Sequence, residues 1–105
     1  MSPRRGEIWW GEAAEEGGRP FLVISRSVAI EAMQRVLVVP ITRTQRRTIR
    51  SELTLGPGEG LRWECCAAFD NIRPFPKSLL IRKLGGLSLE REHELCAVLA
   101  ATTGC

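Results

Sequence analysis

Tyrosine is absent from these 105 residues, histidine occurs once, at position 93, and aspartate once, at position 70. These shortages exclude chemistry. A two-histidine acid–base pair cannot form within one chain; a serine-hydrolase triad fails on the same ground, and no G-x-S-x-G elbow is present. Two-metal nucleases hold their ions with several carboxylates, usually led by aspartates, which a lone Asp70 does not supply. No G-x-x-x-x-G-K-[ST] phosphate loop occurs. None of the four cysteines (Cys65, Cys66, Cys96, Cys105) forms a C-x-x-C pair, and adjacent Cys65 and Cys66 would point to opposite faces of a strand. Reduced structural thiols are the expectation, with no metal and no cofactor. Long apolar runs are missing too. FLVI at 21–24 and VLVVPI at 36–41 are too short to span a bilayer, and MSPRRGEIWW at the N-terminus has no apolar leader region. The chain is expected to be soluble, cytoplasmic and free of the membrane.

The length suits a single domain, 1–105. Arginine is what the chain has in excess, thirteen against two lysines. The stretch RTQRRTIR from Arg43 to Arg50 holds four arginines and no acid, so with a net charge of +3 overall the remainder of the chain carries −1. Basicity gathered into one loop is how a site for a polyanion looks in sequence, and guanidinium groups grip phosphate with two bonds at once. A charge run alone is more readily a solvated loop.

Short β-type runs dominate. Strands are expected at EIWW (7–10), PFLVIS (20–25), VLVVPIT (36–42), ELTL (52–55), ECCAAF (64–69) and LLIRKL (79–84), with the acidic, glycine-rich segment 11–19 as a loop and 26–35 as a loop or a short helical turn. VLVVPIT is apolar on both faces and so central, with Pro40 marking a bulge or an unpaired edge. Of Trp9 and Trp10, one faces the core and the other out, where it packs, joins a dimer contact or stacks a base. One helix closes the chain: Ser88 is a good N-cap, Glu90 and Glu92 suit the first turn, and Leu89, His93, Cys96, Leu99, Ala100 and Thr103 fall on one expected packing face. The fold class is therefore mainly β with a C-terminal helix, a small bent sheet or barrel.

With metal, histidine and serine chemistry excluded, positioning and electrostatics remain. RNA carries its own nucleophile, the 2′-hydroxyl beside each phosphate, so a protein has to supply in-line geometry, charge stabilisation and a proton route to the leaving 5′-oxygen. An arginine and a hydroxyl can stabilise the charge, although a guanidinium is a poor general base.

Four strings make a sharper statement. RRGEIWW (4–10), GGRPFLVIS (17–25), VLVVPITR (36–43) and DNIRPFPKSLLIRKLGGLS (70–88) resemble, in order and spacing, the successive blocks of the MazF/PemK toxins. The resemblance implies an SH3-like, CcdB-type β-barrel, a homodimer, sequence-specific and metal-independent cleavage of single-stranded RNA, and a MazE-like antitoxin. It implies catalytic roles for Arg19, in the G-x-R-P block, and Thr42, which ends the central strand. Asp70 aligns with a polar residue near the RNA groove, or else it serves the turn in DNIRP. Arg43, Arg46, Arg47, Arg50, Arg73 and Lys77 are the expected phosphate contacts. Two departures, Ala68 where some relatives carry arginine and a short loop before Arg19, mean that the cleavage motif does not carry over. The alternative is a CcdB-like gyrase-binding toxin without nuclease activity, against which stands the end ATTGC, with no aromatic residue.

Overall fold

The computed structural model of the chain describes residues 2–13, 17–43 and 52–103, the side chain of Thr103 excepted. Its clearest apolar run forms β3 (Arg35–Arg43), whose alternation sends Val36 and Val38 to one face and Val39 and Ile41 to the other, all buried. A strand apolar on both faces has to lie inside a sheet. β2 (Gly17–Val23) pairs along one edge of it, while β5 (Cys65–Ala68) and β6 (Arg73–Pro76) share the other. With β1 (Glu7–Ala13), β4 (Glu52–Leu55) and β7 (Leu80–Gly86), seven strands run in the order β4-β5-β3-β2-β1-β7, β6 standing beside β3 and every pair antiparallel. The handover from β6 to β5 falls at Val39 and Pro40, which are paired only toward β2. Proline has no N–H to donate, so a gap in the ladder suits it.

Two apolar cores result, one on each face. The larger holds Ile8, Leu22, Val39, Ile41, Leu53, Ala67 and Phe69 inside the bend of the sheet. The smaller holds Trp9, Phe21, Val23, Val36, Val38 and Phe75, and is covered by Ile30 of the single-turn helix α1 (Ser27–Ile30). Among the described residues, hydrogen bonds do not close the sheet, whose ends are β4 and β7. Glycine brings those ends together. A Cβ on Gly85 would overlap the backbone of Glu59 and Gly60, and one on Gly60 would overlap the backbone of Leu84 and Gly85. The segments 59–60 and 84–85 touch where no side chain fits, and the sheet takes the barrel-like form expected for the class.

Three details differ from the sequence expectation. Residues 11–13 and 17–19, expected in a loop, extend the β1–β2 hairpin, so Arg19 lies inside a strand. The glycines there make room for rings: a Cβ on Gly11 would sit 2.9 Å from the Phe21 ring, and one on Gly18 would overlap the Trp10 indole. The RPFP segment, expected in a connection, is β6; it pairs on one side only, and an edge strand tolerates Pro74 and Pro76 while Arg73 and Phe75 face the smaller core.

The third difference concerns the C-terminal helix α2 (Leu89–Thr103). Leu89, His93, Cys96 and Ala100 are exposed; Leu95 is the fully buried residue, with Val98 and Leu99 packed beside it. The buried stripe is centred on Leu95, and Arg91, one turn earlier, donates to the Thr54 carbonyl of β4. Ser88 caps the helix as expected, accepting the Arg91 N–H at 3.3 Å. Among the described residues, no helix is long and apolar enough to cross a membrane.

Candidate active site

Directly opposed residues of antiparallel strands project from the same face. Arg19 stands opposite Gly11, Thr42 opposite Cys66, and Cys66 opposite Thr54. The β2–β3 ladder ends at Phe21 and Pro40; carried two residues beyond its last pair, the register would set Arg19 across from Thr42. Such a row would run from Gly11 through Arg19, Thr42 and Cys66 to Thr54, its Gly11–Arg19 and Thr42–Cys66–Thr54 parts being paired directly. Period two assigns the face: Arg19 alternates with Phe21 and Val23, and Thr42 with Val38, all of the smaller core. Beyond that core the face turns polar, and Thr42 is exposed with its Oγ1 3.8 Å from Cys66 Sγ.

Arg73 joins this face from β6. It is paired with Val38, and its guanidinium carbon lies 5.4 Å from the centroid of the Phe21 ring, which packs in turn on Phe75 at 4.6 Å. Arg19 is two residues along the strand from Phe21, about 7 Å. Two guanidinium-bearing residues thus neighbour one ring, with a threonine hydroxyl in the adjoining row. A phosphodiester along that row would meet charge-assisted donors and a neutral one, which is the apparatus for stabilising charge on a pentavalent phosphorus.

The other residues singled out in the sequence are placed as follows. Arg43 follows Thr42 and so leaves the opposite face, where its guanidinium stacks 4.2 Å from the Trp63 ring centroid. Asp70 is exposed in the 3-10 turn Phe69–Asn71 that carries the chain from β5 to β6, beside the site rather than in its row. Lys77 is not brought to Arg19 and Thr42. Its Nζ donates to the carbonyls of Ile30, at 3.0 Å, and Glu31, at 3.4 Å, and its backbone N–H donates to Gln34 just before β3. Thr42 is the penultimate residue of that strand, about 23 Å from Arg35 at its start. Arg46, Arg47 and Arg50 lie outside the described residues.

Cys66 is the site residue that the sequence did not single out. The signal was the Cys65–Cys66 alternation, which puts one thiol in the larger core and the other beside Thr42. Burial, then the neighbouring Cys66, pushes the Cys65 thiol up despite Arg43. Among the described residues, no three of His, Cys, Asp and Glu converge as metal ligands would.

Comparison with known proteins bears on this geometry. Residues 4–102 match the family model of PemK-like, MazF-like toxins of type II toxin–antitoxin systems. A Mycobacterium tuberculosis protein described as probable endoribonuclease MazF2 is 42% identical over 103 residues, covering 97% of this chain and 99% of the relative. Among solved structures, an endoribonuclease in complex with its cognate antitoxin from a mycobacterial species superposes with a TM-score of 0.85 at 27% identity, covering 97% of this chain and 95% of that one. The M. tuberculosis toxin MazF-mt6 superposes with a TM-score of 0.84 at 26% identity, over 93% and 96% of the two chains. The gyrase-binding alternative loses its ground with these matches. The chain belongs to the PemK-like, MazF-like toxins of type II toxin–antitoxin systems.

Proposed function

We propose that this chain is the toxin of a type II toxin–antitoxin pair and an endoribonuclease that cuts single-stranded RNA, sequence-specifically and without a metal ion. What supports the mechanism is that strand alternation puts Arg19 and Thr42 on the same sheet face, that of the smaller core. The 2′-hydroxyl of the RNA gives its proton to solvent as its oxygen attacks the adjacent phosphorus, the P–O5′ bond breaks, and the products are a 2′,3′-cyclic phosphate and a free 5′-hydroxyl, the group that protonates the 5′-oxygen regaining its proton from solvent. Arg19 holds the non-bridging oxygens and gives a proton to the leaving 5′-oxygen, Thr42 orients the phosphate, and Arg73 supplies a second positive charge to the same face. Arg43 and Asp70, with Arg46, Arg47 and Arg50, extend the grip on RNA beyond the cut, while Lys77 contacts RNA only if the strand reaches the far end of β3. The relative described as an endoribonuclease supports the activity, and the mycobacterial neighbour solved with its antitoxin supports a MazE-like partner. A homodimer of one-domain chains, 1–105, acting in the cytoplasm, completes the reading.

Purified protein incubated with a long RNA in excess EDTA tests it. Discrete cuts ending in 2′,3′-cyclic or 3′-phosphate are expected. RNA left intact by the chelated protein and cut once Mg²⁺ is restored would overturn the metal-free mechanism; RNA left intact under both conditions would overturn the nuclease assignment.

A further inference from the structure

On the reverse face from Arg19 and Thr42, at the mouth of the larger core, lies a cavity of about 380 Å³. Its lining includes Trp10, Pro20, Arg62, Trp63, Arg82 and Leu84, and among the described residues no carboxylate lines it. Two indoles meet here. Trp10 is half-buried and lies flat across β2 over Gly18, where any side chain would displace it. Trp63 is 50% exposed, with the guanidinium carbons of Arg43 at 4.2 Å and Arg62 at 5.9 Å from its ring centroid. The pocket is therefore aromatic at its walls and cationic at its rim.

Its position gives this meaning. Pro20 follows Arg19 in the chain, Arg43 follows Thr42, and Trp10 precedes Gly11, the cross-strand partner of Arg19. Each neighbour of the proposed cleavage row turns its side chain the other way, so the pocket and the cleavage row lie back to back at one sheet margin. A strand of RNA crossing that margin would have its phosphate at one face and a neighbouring nucleotide at the other.

We infer that the Trp10–Trp63 pocket is a nucleobase subsite: it takes an unpaired base of the RNA substrate against the exposed Trp63 ring, while Arg43, Arg62 and Arg82 hold the adjoining phosphates. The inference rests on the reading of the chain as an RNA-cutting enzyme. Charge favours RNA over an apolar partner, because three guanidiniums without a carboxylate complement a phosphate chain and an indole face stacks any base. Mouths of barrels, apolar with a few polar groups, are where such ligands bind.

The test uses a fluorescein-labelled, fully 2′-O-methylated oligonucleotide carrying the wild-type protein's own mapped cleavage sequence, which binds but offers no nucleophile. Fluorescence anisotropy is expected to show Trp63→Ala weakening binding roughly 5- to 100-fold, the range for losing one stacked base. Trp63→Phe should recover most of the affinity, a rescue that a merely structural tryptophan would not predict, and Gly18→Ala, which crowds Trp10, should weaken binding as Trp63→Ala does. A Trp63→Ala protein that binds as the wild type does, in a preparation whose wild type cuts RNA, overturns the subsite and leaves the nuclease standing. Wild-type protein that neither binds nor cuts overturns both. Weakened capture of an antitoxin peptide with RNA binding intact would make the pocket a protein site and overturn the inference.

Discussion

Leu95→Ala is expected to destabilise the protein severely, and Leu89→Ala hardly at all, although Leu89 begins the expected packing face and carries the same side chain. Leu95 is fully buried in the larger core, whereas Leu89 is 75% exposed. Truncating a buried leucine forfeits its transfer energy and leaves a cavity, together about 2–5 kcal/mol. A surface change is worth about 0.5 kcal/mol or less. Against a total stability of about 5–15 kcal/mol, the first loss is a large share. At about 4–8 °C per kcal/mol for a domain of this size, even its lower limit lowers the midpoint by roughly 8–16 °C. Thermal and urea unfolding followed by far-UV circular dichroism reads both variants, at several protein concentrations so that any effect through association shows as a concentration dependence. Equal losses, or a greater loss from Leu89→Ala, would refute the assignment of the buried stripe to Leu95, Val98 and Leu99.

Two further outcomes follow from the same structure. Glu7 is partly buried, which pushes its carboxyl upward, but hydrogen bonds from the Trp9 indole, Lys83 and the Arg4 N–H, with the charge of Lys83 3.0 Å away, hold it below the ordinary carboxylate range. A depressed carboxyl stabilises the fold above its unfolded pKa of ~4.3 and loses that contribution as pH falls through the folded value; Glu7→Gln should therefore flatten the fall in Tm below about pH 4.3, and an unchanged acid limb would contradict the pairing. Alkylation with iodoacetamide under native conditions should modify Cys66 well before buried Cys65 and slow RNA cleavage, because the adduct sits beside Thr42 Oγ1, and Cys66→Ser should protect. Peptide mapping by mass spectrometry checks the order of modification, and equal inactivation of the serine variant would remove Cys66 from the site.

Much of the fold was legible because alternation is a strong signal wherever a strand is apolar on both faces, as VLVVPIT shows. The hidden parts have physical causes. Glycines at 11 and 18 read as loop residues, yet they admit the rings of Phe21 and Trp10 across paired strands. Prolines at 74 and 76 read as breaks, yet an edge strand needs hydrogen bonds on one side only. The face of α2 was misjudged because spacing alone allows several apolar stripes on a helix rich in Leu, Ala and Cys, and the one used, Leu95 with Val98 and Leu99, is set by the larger core it meets. At the candidate site, Arg19 and Thr42 are proposed from their blocks. Their common face depends on strand pairing, as does the removal of Arg43 to the reverse face, and one sequence does not state its register. Spacing did not show that the Lys77 nitrogen donates to the Ile30 and Glu31 carbonyls at the end of α1, a contact that only the fold creates.

Single-turnover cleavage of a short RNA by the wild type, Arg19→Ala, Thr42→Ala and the double variant tests most directly whether these two side chains act on one phosphodiester. Each single variant should lose most of the rate with the fold intact by circular dichroism, and the double should fall little further, since groups that act as a unit are strongly non-additive. Wild-type cleavage by Arg19→Ala, or losses that simply multiply in the double variant, would contradict it.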